Sequence, residues 1–199
     1  SANKTILDYG CGTGEFLKKC KSLGWRINGV EPSETARKKA QNNCNQDISS
    51  SIQDIVTKDF SVITLWHVLE HIPNLNDTIS LLREKLHPNG KIIIAVPNPN
   101  SWDAKHYQNF WAAYDVPRHL WHFTQPNLQL LLRNHHFTLT RQVPMKLDAY
   151  YVCLLSEKYR NNGKTTLIGM LTAFYNGIKS NHQAKKTGEY SSIIYIGNK

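Results

Sequence analysis

Long hydrophobic runs are missing from this sequence: no apolar stretch reaches the ~18 to 20 residues that a helical membrane span needs. No leader with an apolar core and a cleavage site opens it either. The chain begins SANK and passes straight into an apolar segment, so a secretory signal is not expected. Cysteine is sparse, with Cys11, Cys20, Cys44 and Cys153 only, and none stands in C-x-x-C spacing. That excludes a zinc knuckle or a thioredoxin-like motif, and free thiols point to a reducing, cytoplasmic compartment. Repeats and low-complexity tracts are absent. So are basic runs longer than Arg37-Lys38-Lys39. The net charge of +9, from 24 Lys and Arg against 15 Asp and Glu, favours anionic partners in principle. Without a basic run it reads as a solvated surface.

What is present is the rhythm of an α/β domain, and 199 residues suit a single one. β-branched apolar runs alternate with segments of helical period, the pattern of βαβ units and a parallel sheet. Strands are expected at 5–9, 26–31, 48–52, 60–66, 91–96, 137–143 and 192–197. Helices are expected at 15–23, from an N-cap at Ser33 to about Asn43, at 77–86 and around 128–133. His87-Pro88-Asn89-Gly90 reads as a turn. Two stretches break the rhythm. Residues 97–124 are dense in aromatics and histidine, and residues 156–188 are basic with an apolar stripe at Leu167, Leu171, Phe174 and Ile178. Long irregular segments in compact domains are usually functional.

The first strand ends in Asp8-Tyr9-Gly10-Cys11-Gly12-Thr13-Gly14-Glu15. Its glycines allow a sharp turn and a close approach of backbone to ligand, and a helix N-terminus follows with unpaired N–H groups. The second strand ends at Glu31, seventeen residues past Gly14, where a carboxylate can accept both hydroxyls of a ribose. The dinucleotide fingerprint would put its third glycine at position 15, which is Glu15. Carboxylates at 8 and 15 are poor neighbours for a pyrophosphate and good ones for a cationic nucleoside without phosphate.

These segments resemble a known family. DYGCGTGEFL is similar to motif I of the class I S-adenosylmethionine-dependent methyltransferases, and GVEPSETARKKA to their second-strand motif. WHVLEH, LHPNGKIIIAVPN and DVPRHLWHFT resemble the type 23/type 11-like subgroup, relatives of the ubiquinone-biosynthesis O-methyltransferases. The resemblance spans about residues 4–140. It implies a Rossmann-like three-layer α/β/α sandwich with a mostly parallel seven-stranded sheet and an antiparallel last strand. It also implies S-adenosylmethionine as cofactor. Gly10, Gly12 and Gly14 would contact its methionyl part, Glu31 its ribose, and Ile52 and Gln53 its adenine, while Trp66 and His67 would face the methyl donor. Asp8, Cys11 and Pro32 complete the expected cofactor set. The sequence departs from the pattern at Ser61, where an Asp is usual, and at His136, where a Gly is usual. The family also carries a helix or two ahead of the first strand, so N-terminal helices are expected beyond the given chain.

Methyl transfer from a sulfonium is an in-line displacement, so the protein mainly aligns a nucleophile. A hydroxyl acceptor gains from a general base, and histidine is tuned for that near neutral pH. His119 and Arg118 are the leading candidates, as base and as anchor for an acidic group, with His71 next. His67-Val68-Leu69-Glu70-His71 also spells an inverted zinc-protease signature, but it abuts a buried strand and Pro73 follows. In the ubiquinone-pathway relatives this place is Glu-x-x-Glu-His; His67 replaces the first Glu, and no metal is expected. The expectation is therefore one methyltransferase domain over 1–199, with 97–124 and 156–188 as cover segments. Its acceptor is a small molecule, with neither nucleic acid nor membrane as partner, and it works as a monomer or homodimer. An RNA or protein methyltransferase, or a non-catalytic binding module, is the alternative. The stripe from 167 to 178 would pack on the sheet's own cover, then on a second subunit, and last on an anionic membrane drawn by Lys179, Lys185 and Lys186.

Overall fold

The structure, a computed structural model, describes residues 4–199. The element order is β1 (Thr5–Tyr9), α1 (Glu15–Ser22), β2 (Arg26–Val30), α2 (Glu34–Cys44), β3 (Phe60–Trp66), α3 (Leu75–Lys85) and β4 (Leu86–Pro97). It continues with α4 (Trp102–Tyr107), α5 (Gln125–Asn134), β5 (Thr138–Pro144), α6 (Asp148–Arg160), α7 (Leu167–Thr187) and β6 (Ser192–Asn198). Two compact units result. One holds the chain up to Ala95 with Leu131–Arg141 and Tyr195–Lys199; the other holds Val96–Leu130 and Gln142–Ile194.

The sheet order is β2-β1-β3-β4-β6-β5, an α/β arrangement with helices on both faces. β1 pairs in parallel with β2 and β3, and β3 with β4. β6 runs the other way: the Lys199 amide donates to Gly90 near the start of β4, while the Asn98 amide past its end donates to Ser191. The antiparallel last strand is thus present.

Among the described residues the sheet has six strands where seven are expected. Residues 48–52 contribute one parallel bridge, Ser49 to Val30. Ser51 then caps a 3-10 turn, Ile52–Asp54, in a reciprocal box with Asp54. Serine side chains here offer the backbone a local alternative to the ladder. The expected turn at 87–90 lies inside β4: pairing jumps from Phe60–Leu86 to Val62–Lys91, so four residues of β4 answer one of β3. His136, standing where a glycine is usual, takes φ +56 at the turn into β5.

In the first unit, Ile6, Leu17, Cys20, Ile27, Ala40 and Ile48 are among the residues of a core that joins β1 and β2 to α1 and α2. In the second, α4, the 108–114 turns and α6 bury Tyr107, Trp111 and Cys153 together with Ala173 of α7. Asp103, fully buried, accepts from Trp111 Nε1 at 2.8 Å, Ser180 Oγ at 2.6 Å and Ser191 Oγ at 2.7 Å. Such a satisfied carboxylate fixes those segments to one another. The stripe at 167–178 is not what α7 buries. Its inward residues are Gly169, Ala173, Asn176, Gly177, Ser180 and Ala184. These small side chains let α7 approach α6 so closely that a Cβ on Gly177 would lie 2.5 Å from the Tyr150 ring.

Candidate functional site

The loop after β1 takes its shape from three left-handed glycines, with φ +79 at Gly10, +54 at Gly12 and +80 at Gly14. A Cβ on Gly10 would strike the Val68 side chain at 2.5 Å, and one on Gly14 would crowd the Ala40 backbone at 3.0 Å. At Gly12 nothing lies within 4 Å of that position. The loop therefore packs hard at both ends and opens in the middle. A cavity of about 580 Å³ lies there, lined by Asp8, Gly10, Cys11, Gly12, Thr13, Glu15, Phe16 and Trp66. Phe16 and Trp66 meet edge to face with ring centres 5.4 Å apart.

Carboxylates dominate this site, and no lysine or arginine is among its lining residues. Glu31 accepts from the Gly12 amide with Oε2 and from the Ser33 amide with Oε1, each at 2.9 Å. Arg37 braces the same turn by donating to the Glu31 and Pro32 carbonyls. Ser33 caps α2, so the second-strand acid is followed directly by a fixed helix start. Asp8 is buried and accepts from Thr64 Oγ1 at 2.6 Å. Burial raises its pKa to about 6; the Thr64 hydrogen bond opposes this and the Glu31 charge adds to it. Burial, with Asp8 and Glu31, pushes the Cys11 thiol up to about 12, so it holds its proton at neutral pH and is no nucleophile.

Of the residues expected from sequence, Asp8, Gly10, Cys11, Gly12 and Trp66 line the cavity, and Glu31 is bonded to its loop. Gly14 backs onto α2. Ile52 is buried and Gln53 exposed on the 3-10 turn, and neither is among the lining residues. His67 takes φ +53 and places Nδ1 3.5 Å from Oε1 of Glu70, whose side chain is 1% exposed. His71 is exposed at the end of a 3-10 turn, Leu69–His71.

His119 and Arg118 belong to the second unit. His119 Nδ1 donates to the Ala113 carbonyl at 2.8 Å, and Nε2 lies 3.8 Å from Oδ2 of Asp115. A carbonyl only accepts, so Nδ1 carries the proton of the neutral ring and Nε2 is the nitrogen that takes up another. Arg118 grips Asp115 Oδ1 through Nη2 at 2.6 Å and Nε at 3.1 Å. His122 Nε2 donates to the Tyr114 carbonyl at 3.0 Å.

Thr13, Phe16, Thr64 and Glu70 were not singled out from sequence. Thr64 had a signal, being the polar residue inside the apolar run of β3, and it sits in register with Asp8. Phe16 had one as well, as an aromatic in the first turn after the loop.

A family model described as "Methyltransferase domain" (Methyltransf_23) matches residues 1–142. The chain is 33% identical over 105 residues to a ubiquinone biosynthesis O-methyltransferase of Coxiella burnetii, covering 49% of this chain and 45% of that protein. It is 30% identical over 104 residues to the mitochondrial enzyme of the same name from Schizosaccharomyces pombe, covering 47% and 38%. The matched stretch thus spans less than half the length of these relatives. The fold is similar to the crystal structure of a SAM-dependent methyltransferase from Archaeoglobus fulgidus. That match has a TM-score of 0.64 and 18% identity, and covers 100% of this chain and 87% of the other.

Proposed function

This chain belongs to the methyltransferase domain family, and from that premise we propose that it transfers a methyl group from S-adenosylmethionine to the oxygen or nitrogen of a small-molecule acceptor. The observation that carries this reading is the acid-walled cavity. Its lining offers the carboxylates of Asp8 and Glu15 and no lysine or arginine to meet a phosphate, and Glu31 is held by its hydrogen bond from the Gly12 amide of the same loop. Those acceptors fit a ribose and a cationic amino-acid portion, and they disfavour a dinucleotide. When bound, S-adenosylmethionine supplies an activated methyl group on a sulfonium centre.

The protein's part is alignment and proton handling. Glu31, already aimed by two amides, accepts from ribose hydroxyls. The Gly10–Gly14 backbone admits the ligand closely, and Asp8 gains a cationic neighbour that favours its charged form. His119 has its tautomer fixed by Ala113, so Nε2 takes the acceptor's proton, and Asp115 stabilises the resulting imidazolium. Arg118, expected as the anchor for an acidic group of the acceptor, is engaged by Asp115 instead and is assigned to holding that carboxylate in place. His71 is the second candidate base. Ile52 and Gln53 are assigned to the adenine, and Pro32, Trp66 and His67 to the rest of the cofactor. Segments 97–124 and 156–188 are assigned to closure during turnover, which excludes water.

Calorimetric titration with S-adenosylhomocysteine tests the cofactor. Binding of NAD in its place, with no heat from S-adenosylhomocysteine, overturns the reading. Transfer of labelled methyl to any small-molecule acceptor separates an enzyme from a non-catalytic binding module. Slowed hydrogen exchange in both segments with S-adenosylhomocysteine and acceptor is expected; equal exchange in the two states refutes closure.

A further inference from the structure

Helix α7 is amphipathic in the opposite sense to a helix on a water-facing surface. Its inward face is small and polar, and its polar groups are satisfied: Asn176 Nδ2 donates to Tyr107 Oη at 2.8 Å and Ser180 Oγ to Asp103 at 2.6 Å. Its outward face is large and apolar. Leu167, Ile168, Leu171, Phe174, Tyr175 and Ile178 are all exposed, Ile168 to 78% and Tyr175 to 62%. Leu147, the cap residue before α6, and Tyr151 in its first turn are exposed as well, to 83% and 61%. Contiguous apolar exposure on this scale marks an interaction face.

Charge identifies the occupant. From 158 to 188 the sequence carries Lys158, Arg160, Lys164, Lys179, Lys185 and Lys186, and no Asp or Glu; Arg160 is ion-paired with Glu157 and Lys179 lies over the Trp102 ring, so Lys158, Lys164, Lys185 and Lys186 are the cations offered to a partner. Each of these six is exposed. A second copy laid face to face would bring two cationic surfaces together, because a two-fold interface pairs like with like. An anionic lipid surface meets both requirements at once: its phosphates face the lysines and its acyl boundary receives the leucine, isoleucine and aromatic side chains. Among the described residues no helix is long and apolar enough to cross a membrane, so the contact lies in the plane of the interface.

We propose that the outward face of α7, with the exposed start of α6, is a peripheral docking surface for anionic phospholipid membranes. This goes beyond the methyl-transfer reading and does not depend on it. The test is cosedimentation of the full chain with vesicles of phosphatidylcholine alone or mixed with phosphatidylglycerol. Binding is expected on the mixed vesicles only, and raised salt is expected to release it. Phe174→Ser combined with Ile178→Ser is expected to lower partitioning about tenfold or more. Lys164→Glu, outside any helix, is expected to lower it about fivefold or more, since each cation near the surface is worth that factor. Circular dichroism checks that each variant is folded, and the lysine variant keeps the test decisive if the double variant does not fold. Equal partitioning onto both vesicle types, or no loss with the lysine variant, overturns the proposal. A dimer in sedimentation equilibrium that the apolar double variant abolishes also overturns it, and the face is then a subunit interface.

Discussion

Replacing Asp8 by Asn should make the free protein more stable and the cofactor site worse. The carboxyl is 2% exposed and titrates near 6 instead of 3.8. Its charged form is therefore disfavoured by about 3 kcal/mol, at ~1.4 kcal/mol for each unit of pH. The folded chain keeps this proton up to about pH 6, whereas the unfolded chain has released it by pH 4. The contribution to stability is thus fully present below pH 3.8 and is lost as pH rises through about 6. Asparagine cannot ionise, and its side-chain oxygen still accepts from Thr64. Urea unfolding of both proteins from pH 4 to pH 8 is the assay. At pH 4 the two midpoints should nearly coincide, and at pH 8 the variant's should be higher by roughly 1 M, given slopes of ~2 to 3 kcal/mol per molar for a chain of this size. Calorimetry at pH 8 should show the variant binding S-adenosylhomocysteine about tenfold more weakly or worse. A midpoint difference that ignores pH, or a wild type more stable at pH 8, would refute the account of Asp8 as a carboxylate stranded by burial.

Glu31→Ala removes an acceptor shared by the Gly12 and Ser33 amides. Affinity for S-adenosylhomocysteine should fall by about 10- to 150-fold, from a charged hydrogen bond worth ~1.5 to 3 kcal/mol, with the circular dichroism spectrum kept; unchanged affinity means the ribose lies elsewhere. Gly14→Ala combines a positive φ with a methyl 3.0 Å from the Ala40 backbone. It should cost about 2 to 4 kcal/mol in chemical denaturation, and a cost under about 0.5 kcal/mol would mean that the loop relaxes freely. His119→Asn should lower kcat by about 10² to 10⁴-fold and leave S-adenosylhomocysteine binding intact; equal loss of both would recast the histidine as structural. A mobility shift at physiological salt should show no tight RNA binding, and a tight, salt-sensitive complex would move the acceptor from small molecule to nucleic acid.

The glycine loop was legible because its requirement is local: left-handed backbone, an open position at Gly12, then an acid at the end of the next strand. β3 was legible at both ends, since a parallel strand buried on two faces is a continuous apolar run. The strand expected at 48–52 failed where Ser51 found a closer partner in Asp54. At α7 periodicity located the apolar stripe but could not say which side faces inward. Gly169, Ala173, Gly177 and Ser180 carry almost no hydrophobic signal, yet their smallness is what admits α6. Nothing local in the sequence announced the His119 tautomer, which depends on how 108–119 turn back upon themselves to present the Ala113 carbonyl.

The place of β6 in the sheet bears on how this protein is made. The strand that follows every other in the sequence lies between β4 and β5, so it fills an interior slot. Synthesis runs from the N-terminus, so β4 and β5 must emerge from the ribosome and wait with facing edges unpaired until residues 192–198 arrive. Open strand edges in a nascent chain are the surfaces that aggregation exploits. A chain that stops just before Ser192 would therefore hold its glycine loop in full but have its sheet split. Such a chain is a client for chaperones.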